Sequence, residues 1–210
     1  MLFLPVSILL FIIFILILPL LIFLLGIGLI QTAFLRLGIS PFMTGLILIA
    51  SLLGSLINIP IKREVRIERV WFGLFPPAVE ETVICLNFGG AVVPALVSIY
   101  LLNRAPLIPV IISTILMALV AKKFTRVVPR VGFAIPALIP PITAAILAYL
   151  FSPHNPAPVA YISGTMGTLI GADLLNLHKI KYLKSSVVSV GGAGIFDGVF
   201  LAGVISVLLV

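Results

Sequence analysis

Long apolar runs separated by short basic patches constrain this chain more than any other feature. Of its residues, 62% are hydrophobic and only 9% are charged, whereas a soluble domain carries about 25% charged residues. So few charges cannot cover that much apolar surface in water, but a bilayer accepts runs of about 20 apolar residues as helices. The sequence therefore predicts an all-α integral membrane protein, with the lipid bilayer as its main partner.

Seven apolar runs are candidate membrane spans, and the shorter ones need neighbouring protein to bury their ends. The predicted spans are 3–35, 40–60, 89–103, 106–123, 137–152, 157–178 and 191–210. The first is too long for the apolar core of a signal peptide, so we expect a retained helix. Pro19 is expected to bend that helix, because proline removes a backbone hydrogen bond.

The basic residues orient these spans. Of the 13 Lys and Arg residues, only Arg36 and Arg104 follow odd-numbered spans. Basic loops lie on the cytoplasmic side, which predicts a cell-membrane protein with its N-terminus inside and its C-terminus outside. The net charge of +7 then reflects topology, and no nucleic-acid partner is predicted. The residues after even-numbered spans are Lys62, Arg63, Arg66, Arg69, Lys122, Lys123, Arg126, Arg130, Lys179, Lys181 and Lys184.

The polar stretch 61–88 is predicted to form a cytoplasmic β-hairpin inserted in a single membrane domain, residues 1–210. Two β-rich runs, 65–72 and 79–88, flank a turn that contains glycine and proline. A further β-like run, 187–190, either adds a strand to this hairpin or forms the first turn of span seven. The sequence leaves both alternatives open.

Two segments share one order of features: small residues, an asparagine, a basic loop and then Gly-Gly-Ala. We interpret them as a parallel internal repeat, because the predicted spans give both copies the same orientation. Chance similarity between glycine-rich apolar sequences is the alternative. The first copy contains Gly54, Ser55, Asn58 and Gly89-Gly90-Ala91, and the second contains Gly171, Ala172, Asn176 and Gly191-Gly192-Ala193.

Asp173 and Asp197 are the only acidic residues inside the predicted spans; the other four lie among basic residues of the hairpin. A charge at the bilayer centre costs about 2.5–3.5 kcal/mol or more, which makes a functional role the default interpretation. The alternative is a polar contact that holds helices together.

The relative depth of the two aspartates depends on where span seven begins. Asp173 lies six residues before Lys179, about 9 Å inside the cytoplasmic end. Asp197 is equally deep if the helix starts at Gly191, and about 20 Å deep if it starts at Lys184. The glycines at 191, 192 and 194 are poor helix formers and favour the first version.

Two close carboxylates share a proton, so one can act as a base on water while the other polarises a carbonyl. Hydrolysis is therefore the first hypothesis, with Asp173 and Asp197 as the catalytic pair. Coupled transport of a proton or cation by the same pair is the second, and a scaffold that binds through its hairpin is the third. A peptide, a small molecule and an ion all stay open as the substrate.

Polar and glycine residues near the aspartates are the candidate substrate-binding groups. These are Asn58, Asn87, Asn176, Gly191, Gly192 and Gly194. Asn58 and Asn176 end predicted helices, so backbone capping is the favoured role for these two. No metal cluster, phosphate-binding loop or cofactor motif is recognisable, and the single cysteine, Cys85, is expected to act as a small apolar residue.

Three stretches resemble an uncharacterised prokaryotic family of multi-pass membrane proteins, a domain-of-unknown-function family. They are Gly54-Ser55-Leu56-Ile57-Asn58-Ile59-Pro60, Asn87-Phe88-Gly89-Gly90-Ala91 and Gly191-Gly192-Ala193-Gly194-Ile195-Phe196-Asp197-Gly198. The resemblance covers most of residues 40–208. It implies a multi-pass membrane fold and supplies no activity.

The arrangement of the aspartates also resembles that of the presenilin and signal-peptide-peptidase intramembrane aspartyl proteases. That class carries one aspartate on span six and another in a Gly-x-Gly-Asp motif on span seven, near the cytoplasm; Asp173 and Asp197 match in span and side. Here Ile195-Phe196 separates Gly194 from Asp197, and the Pro-Ala-Leu motifs precede both aspartates. The resemblance is one of arrangement, and it implies aspartyl-protease chemistry.

Overall fold

Helices make up most of the chain in the computed structural model, which describes residues 3–68, 78–129, 132–183, 185–192 and 198–210. Within these described residues, two long strands and three short ones interrupt the helices. The helices are α1 Phe3–Arg36, α2 Pro41–Gly54, α3 Val93–Leu101, α4 Leu107–Phe124, α5 Ile139–Phe151, α6 Pro156–Thr168 and α7 Gly198–Leu209. The strands are β1 Asn58–Glu68, β2 Ala78–Asn87, β3 Arg126–Val128, β4 Gly132–Ala134 and β5 Val187–Val190.

Successive helices alternate in direction, so that their connections gather at two ends. At one end, here called the loop end, Arg104 Nη1 donates to the carbonyl oxygen of Leu37 at 3.0 Å. At the same end, Asn155 Nδ2 donates to the carbonyl oxygen of Arg104 at 2.8 Å, and Arg36 Nη1 lies 3.3 Å from that of Val207. The strands lie at the opposite end, here called the strand end, as the predicted alternation requires.

The sheet at the strand end contains the predicted hairpin and a third strand, in the order β1-β2-β5. Strands β1 and β2 pair antiparallel from Asn58↔Asn87 to Glu68↔Ala78, which confirms the hairpin; its predicted turn lies outside the described residues. Strand β5 pairs parallel to β2, with Leu86 opposite Val190. The run 187–190 is therefore a strand and not the first turn of a helix.

The prediction that span two continues to residue 60 is wrong. Helix α2 ends at Gly54, where a Cβ atom would meet the Phe88 ring at 2.7 Å and the backbone nitrogen of Gly89 at 3.0 Å. This close approach directs the chain into β1, which begins at Asn58. Pro60 lies at a register shift in that strand, a position that tolerates its missing N–H group.

Spans six and seven also differ from their predicted extents. Helix α6 gives way at Leu169 to a π-helical turn, Leu169–Asp173, and then to a 3-10 helix, Leu174–Tyr182. The prediction that span seven starts as a helix at Gly191 or earlier is wrong. Gly191 and Gly192 have φ values of 84° and 63°, which a right-handed helix does not allow. In the described residues α7 begins at Gly198. Asp197 lies outside the described residues, so its depth stays a prediction.

The third and fifth spans are close to prediction, but each has an irregular start. A π-helical turn, Phe88–Val92, precedes α3, and a 3-10 turn, Leu102–Arg104, follows it. The short hairpin β3-β4, which the sequence analysis did not predict, precedes α5. Its residues Val127 and Phe133 pack against the apolar cluster beneath the β1-β2-β5 sheet.

Helix α6 is the centre of the helical layer. Nearly all of its residues from Pro158 to Thr168 are buried, and it contacts α3, α4, α5 and α7. Near the loop end, Phe34 of α1 packs on Tyr161 of α6, with ring centroids 5.9 Å apart, and on Phe200 of α7. Because α6 is held on all sides, its π-helical turn and Asp173 are fixed in place by their neighbours.

The outer surface of the helices is strongly apolar. Among the residues that the structure describes, two helical stretches are long and apolar enough to cross a membrane by length and composition, Phe14–Arg36 and Leu107–Phe124. Shorter apolar helices in the described residues are Pro41–Gly54, Phe88–Arg104, Ile139–Phe151 and Gly198–Leu209. Large apolar side chains are exposed on this surface; the exposed fractions of Leu16, Ile108 and Leu150 are 71%, 71% and 68%.

Candidate functional site

Asp173 lies where the π-helical turn after α6 meets the 3-10 helix, and its carboxylate is hydrogen-bonded to the backbone. Its Oδ2 atom accepts a hydrogen bond from the N–H group of Gly191 at 2.7 Å, and the residue is buried, with 8% of its surface exposed. It is the last residue of the π-helical turn. Such turns cost regular hydrogen bonding and are frequent at functional sites, so the break and the buried carboxylate mark the same position.

The donor of that bond belongs to a turn that glycine alone fits without strain. Gly191 follows β5 directly and has a φ of 84°, a conformation that L side chains rarely adopt. A Cβ atom there would also lie 2.5 Å from the Cβ atom of Ala91. The turn therefore brings β5 against the π-helical turn Phe88–Val92 and directs one N–H group at Asp173.

A network of polar side chains joins the base of the hairpin to the same turn. The Nδ2 atom of Asn87 donates to the carbonyl oxygen of Ser55 at 2.8 Å and to Asn58 Oδ1 at 3.2 Å. Ser189 Oγ donates to Asn58 Oδ1 at 2.7 Å and lies 3.3 Å from the carbonyl oxygen of Gly192. Asn58 thus links β1 to β2 and β5, and Ser189 links β5 to the glycine turn.

Asn87 also caps the turn that leads into α3. Its Oδ1 atom accepts a hydrogen bond from the N–H group of Gly90 at 2.7 Å, and only 1% of its surface is exposed. Ser51 Oγ donates to the carbonyl oxygen of Gly89 at 2.6 Å. These bonds satisfy backbone groups that the irregular turn leaves without helical partners.

Asn176 supports the other irregular turn. Its Nδ2 atom donates to the carbonyl oxygens of Gly171 and Ala172 at 3.0 and 3.1 Å. This is the backbone-capping role that its position at the end of a predicted helix favours. Within the described part of the chain, its Oδ1 atom is buried and has no hydrogen-bond partner.

The two Gly-Gly-Ala motifs follow adjacent parallel strands. Since Leu86 pairs with Val190, the motif after β2 and the motif after β5 begin at the same edge of the sheet, and Ala91 meets Gly191 there. The parallel direction is what the repeat hypothesis expects. The copies differ in their packing, because Gly54 approaches Gly89 whereas Gly171 approaches Ala118 and Ala121 of α4.

The structure gathers six of the eight predicted site residues at the strand end of the helices. These are Asp173, Asn58, Asn87, Asn176, Gly191 and Gly192. Gly194 and Asp197 lie outside the described residues, so the pairing of the two aspartates stays a prediction. Sequence reasoning missed Ser189. Its only distinguishing feature in the sequence is that it is the one polar residue in the β-like run 187–190.

The described residues on both sides of 193–197 return to one apolar cluster. Val190, before the glycine turn, and Val199, in the first turn of α7, are both buried there with Ala91 and Leu169. Helix α7 also contacts the turn Phe88–Val92. Leu169 belongs to the same π-helical turn as Asp173. The described residues on both sides of 193–197 therefore pack against the turn that contains Asp173.

An apolar groove opens beside this cluster. It has a volume of about 250 Å³ and is lined by Leu86, Ala91, Val92, Ala95, Leu96 and Leu169. Its walls belong to β2, the first turns of the third helical segment and the π-helical turn of α6. The groove thus connects the outer surface with the immediate neighbours of Gly191 and Asp173.

Metal ligands do not cluster at this site. Among the residues that the structure describes, no group of three or more His, Cys, Asp or Glu side chains is placed to hold a metal ion. Cys85 is buried and unpaired by any disulfide. The polar groups that the site offers are a carboxylate, amide side chains, a hydroxyl and backbone N–H groups.

Comparison with known proteins identifies a family and no activity. Searches of curated proteins and of solved structures find no match to the chain. A scan of protein families matches residues 52–209 to a family described as "Protein of unknown function (DUF1614)". The match covers most of the chain and contains the glycine motifs and both aspartates. The chain therefore belongs to the DUF1614 family.

Proposed function

We propose that this chain is a multi-pass integral membrane protein in which Asp173 and Asp197 act together as an aspartyl hydrolase on an apolar substrate. The membrane part of the proposal is supported by the apolar exterior. Helix α4 has 18 residues, about 27 Å at 1.5 Å per residue, close to the thickness of a hydrocarbon core. Its exposed residues Ile108, Ile111, Ile115 and Leu119 would contact lipid.

The distribution of charge supports one orientation. Lys62, Lys122 and Lys179 belong to elements at the strand end, where β1, the end of α4 and the 3-10 helix meet. Because basic residues favour the cytoplasmic side, we place the strand end and the N-terminus in the cytoplasm. The C-terminus and the loop end then face outwards.

One observation carries the hydrolase proposal: the buried carboxylate of Asp173 is held by Gly191, six residues before Asp197 in the chain. The next described residues, Gly198 and Val199, begin α7, and Val199 packs in the same cluster as Leu169 and Val190. Only five residues, 193–197, separate the described residues on either side, and we propose that Asp197 lies within reach of Asp173.

The proposed reaction is the addition of water to a carbonyl group. One carboxylate, ionised, takes a proton from a water molecule as its oxygen bonds to the carbonyl carbon; the other, protonated, gives its proton to the carbonyl oxygen. The C–N bond then breaks as the first carboxyl group gives its proton to the leaving nitrogen and the second takes a proton back from a hydroxyl group, which restores one ionised and one protonated carboxyl group. The bond from Gly191 to Oδ2 of Asp173 fixes the orientation of that carboxylate.

The apolar groove indicates the class of substrate. Its lining from Leu86, Ala91, Leu96 and Leu169 is entirely hydrocarbon, so it favours an apolar peptide segment over a polar or charged one. The groove opens on the side of the helical layer and reaches the neighbours of Asp173. A peptide bond within a membrane-embedded segment is therefore the proposed target.

Coupled transport of a cation or proton is the second candidate, and the irregular helices favour it. Interrupted helices often form ion sites in transporters, and the segments that lead to α3 and away from α6 are both interrupted. The buried Asn176 Oδ1 atom adds an oxygen without a described hydrogen-bond partner. In this version Asp173 binds the ion and Asp197 carries compensating charge.

A transition-state probe tests the hydrolase. The purified chain, reconstituted in lipid nanodiscs, is irradiated with a biotinylated photoreactive peptide whose scissile carbonyl is replaced by a hydroxyl-bearing carbon, because such analogues bind far more tightly than substrates. We expect labelling of the wild-type chain and of Glu81→Gln, an exposed carboxylate control. Asp173→Asn and Asp197→Asn should each abolish it.

Two results would separate the candidates. Equal labelling of wild type and both aspartate variants would overturn the hydrolase. Proton or sodium flux into proteoliposomes that disappears in Asp173→Asn, in a protein that no probe labels, would support transport instead.

A further inference from the structure

A second cavity extends towards the loop end and shares the lining residue Leu96 with the apolar groove. It has a volume of about 460 Å³ and lies between α2 and α3. Met43, Ile47 and Leu96 form apolar walls, and Ser40 and Tyr100 lie at its loop-end margin. A cavity of this size and lining is typical of small-molecule sites. Met43 and Leu96 are about half exposed, so the cavity opens on the outer surface.

A fixed positive charge lies at the polar end of this cavity. Arg104 Nη1 donates to the carbonyl oxygens of Leu37 and Gly38 at 3.0 and 2.9 Å. Its Nη2 atom donates to the hydroxyl group of Tyr100 at 2.7 Å, and its Cζ atom lies 5.1 Å from the centre of that ring. A guanidinium group has five N–H donors in a planar fork, so donors remain for a ligand.

Among the residues that the structure describes, no Asp or Glu side chain pairs with this arginine. Glu64, Glu68, Glu80 and Glu81 belong to β1 and β2, and Asp173 is bound to Gly191 at the strand end. The sixth acidic residue, Asp197, directly precedes the strand-end start of α7. The two ion pairs between described residues both lie on the hairpin. Arg104 therefore places a positive charge, without an Asp or Glu partner among the described residues, beside an apolar cavity.

We propose that this cavity is a binding site for an anionic glycerophospholipid, with its phosphate on Arg104 and one acyl chain between α2 and α3. An arginine fork matches phosphate geometry, and the walls of the cavity match a hydrocarbon chain. A second copy of this chain is disfavoured as the occupant, because its loop end would bring Arg36 and Arg104 against the same charges. The inference rests on the proposed membrane location.

Native mass spectrometry of the detergent-purified chain tests the site. The probes are phosphatidylglycerol, phosphatidylcholine with the same acyl chains, and inorganic phosphate. We expect one phosphatidylglycerol to be retained with an affinity about tenfold above that of phosphatidylcholine, since only the former carries a net negative charge. Inorganic phosphate should bind at least as weakly as phosphatidylcholine.

Two variants and two matched controls locate the site. Arg104→Gln removes the charge, and Met43→Trp fills the cavity without touching the arginine. Each should lower phosphatidylglycerol affinity about tenfold. Lys122→Gln removes a charge at the strand end, and Ile146→Trp adds the same bulk to the exposed face of α5; both should bind as the wild type does.

Equal retention of phosphatidylglycerol and phosphatidylcholine would overturn the proposed lipid site. Binding of phosphatidylglycerol by Met43→Trp with the affinity of the wild type would also overturn it. So would phosphate binding as tight as lipid binding, or a lipid-free dimer that Met43→Trp dissociates. A chain that alkaline extraction removes from membranes would overturn the membrane location together with this inference. A chain that stays embedded but shows no lipid preference overturns this inference alone.

Discussion

The Oδ2 atom of Asp173 accepts a hydrogen bond from the backbone N–H group of Gly191 at 2.7 Å, across 18 residues of sequence. This bond joins the π-helical turn at the end of α6 to the glycine turn after β5. Both turns are departures from regular structure, and each satisfies a polar group of the other. The buried carboxylate is thus part of the architecture as well as the proposed reactive group.

The two roles of Asp173 can be separated by substitution. Asp173→Asn keeps an oxygen that accepts the bond from Gly191, so it should fold with a stability close to that of the wild type. Asp173→Ala leaves that N–H group buried and unpaired and should lower the free energy of unfolding by about 1–3 kcal/mol. Unfolding in detergent with increasing denaturant measures both. Equal stability of the two variants would show that the bond is dispensable.

Gly191→Ala should be more damaging than a glycine substitution in a helix. The new Cβ atom requires φ near 84° and meets Ala91, so we expect a loss of at least about 2 kcal/mol. Gly45→Ala is the control, since no atom lies within 4 Å of a Cβ there and alanine favours the helix by about 1 kcal/mol. The unfolding midpoints should move in opposite directions. A neutral Gly191→Ala would contradict the tight turn.

Asn87→Ala should destabilise the base of the hairpin. It removes the partners of the Gly90 N–H group and of the Ser55 carbonyl oxygen at a position with 1% exposure. We expect a loss of about 2–4 kcal/mol, measured by the same unfolding assay. Asn103→Ala, at an exposed position in the turn after α3, is the matched control and should change stability little. Similar effects of both variants would argue against the network.

The proposed orientation predicts which positions an impermeant thiol reagent reaches. In a Cys85→Ala background, His154→Cys at the loop end should react with a membrane-impermeant maleimide on intact cells. Lys62→Cys in β1 should react only after permeabilisation, because we place the strand end in the cytoplasm. Both wild-type residues are exposed, so burial does not confuse the comparison. Labelling of both on intact cells would refute the alternation, and the reverse pattern would invert the orientation.

Sequence periodicity and hydropathy predicted the elements that depend on local pattern. Helix α4 runs over Leu107–Phe124, one residue from the predicted 106–123, because a continuous apolar run with prolines at its start determines both ends. The hairpin was predicted for a similar reason: two β-rich runs flank a turn. Its first strand begins at Asn58, earlier than predicted, because the end of α2 depends on Gly54 meeting Gly89.

The site was predictable as a set of residues and not as a set of contacts. Apolar surroundings made Asp173 conspicuous, and repeated glycines made Gly191 conspicuous. Their hydrogen bond depends on the parallel pairing of β5 with β2 and on the break in α6, neither of which a short run of sequence specifies. The polar link from Ser189 to Asn58 needs both strands in register, so it had to come from the structure.

The distance between residues 173 and 197 tests the central claim most directly. In the Cys85→Ala background, the pair Asp173→Cys with Asp197→Cys should form a disulfide under mild oxidation, or cross-link with a short bifunctional thiol reagent, because carboxyls that share a proton bring their Cβ atoms close together. Asp173→Cys with Ser206→Cys should not, since Ser206 lies eight residues along α7 from its first residue, Gly198, a rise of about 12 Å. Cross-linking of the first pair alone is the predicted result. Failure of that pair to cross-link in a folded protein whose single cysteines both react would contradict an aspartate dyad.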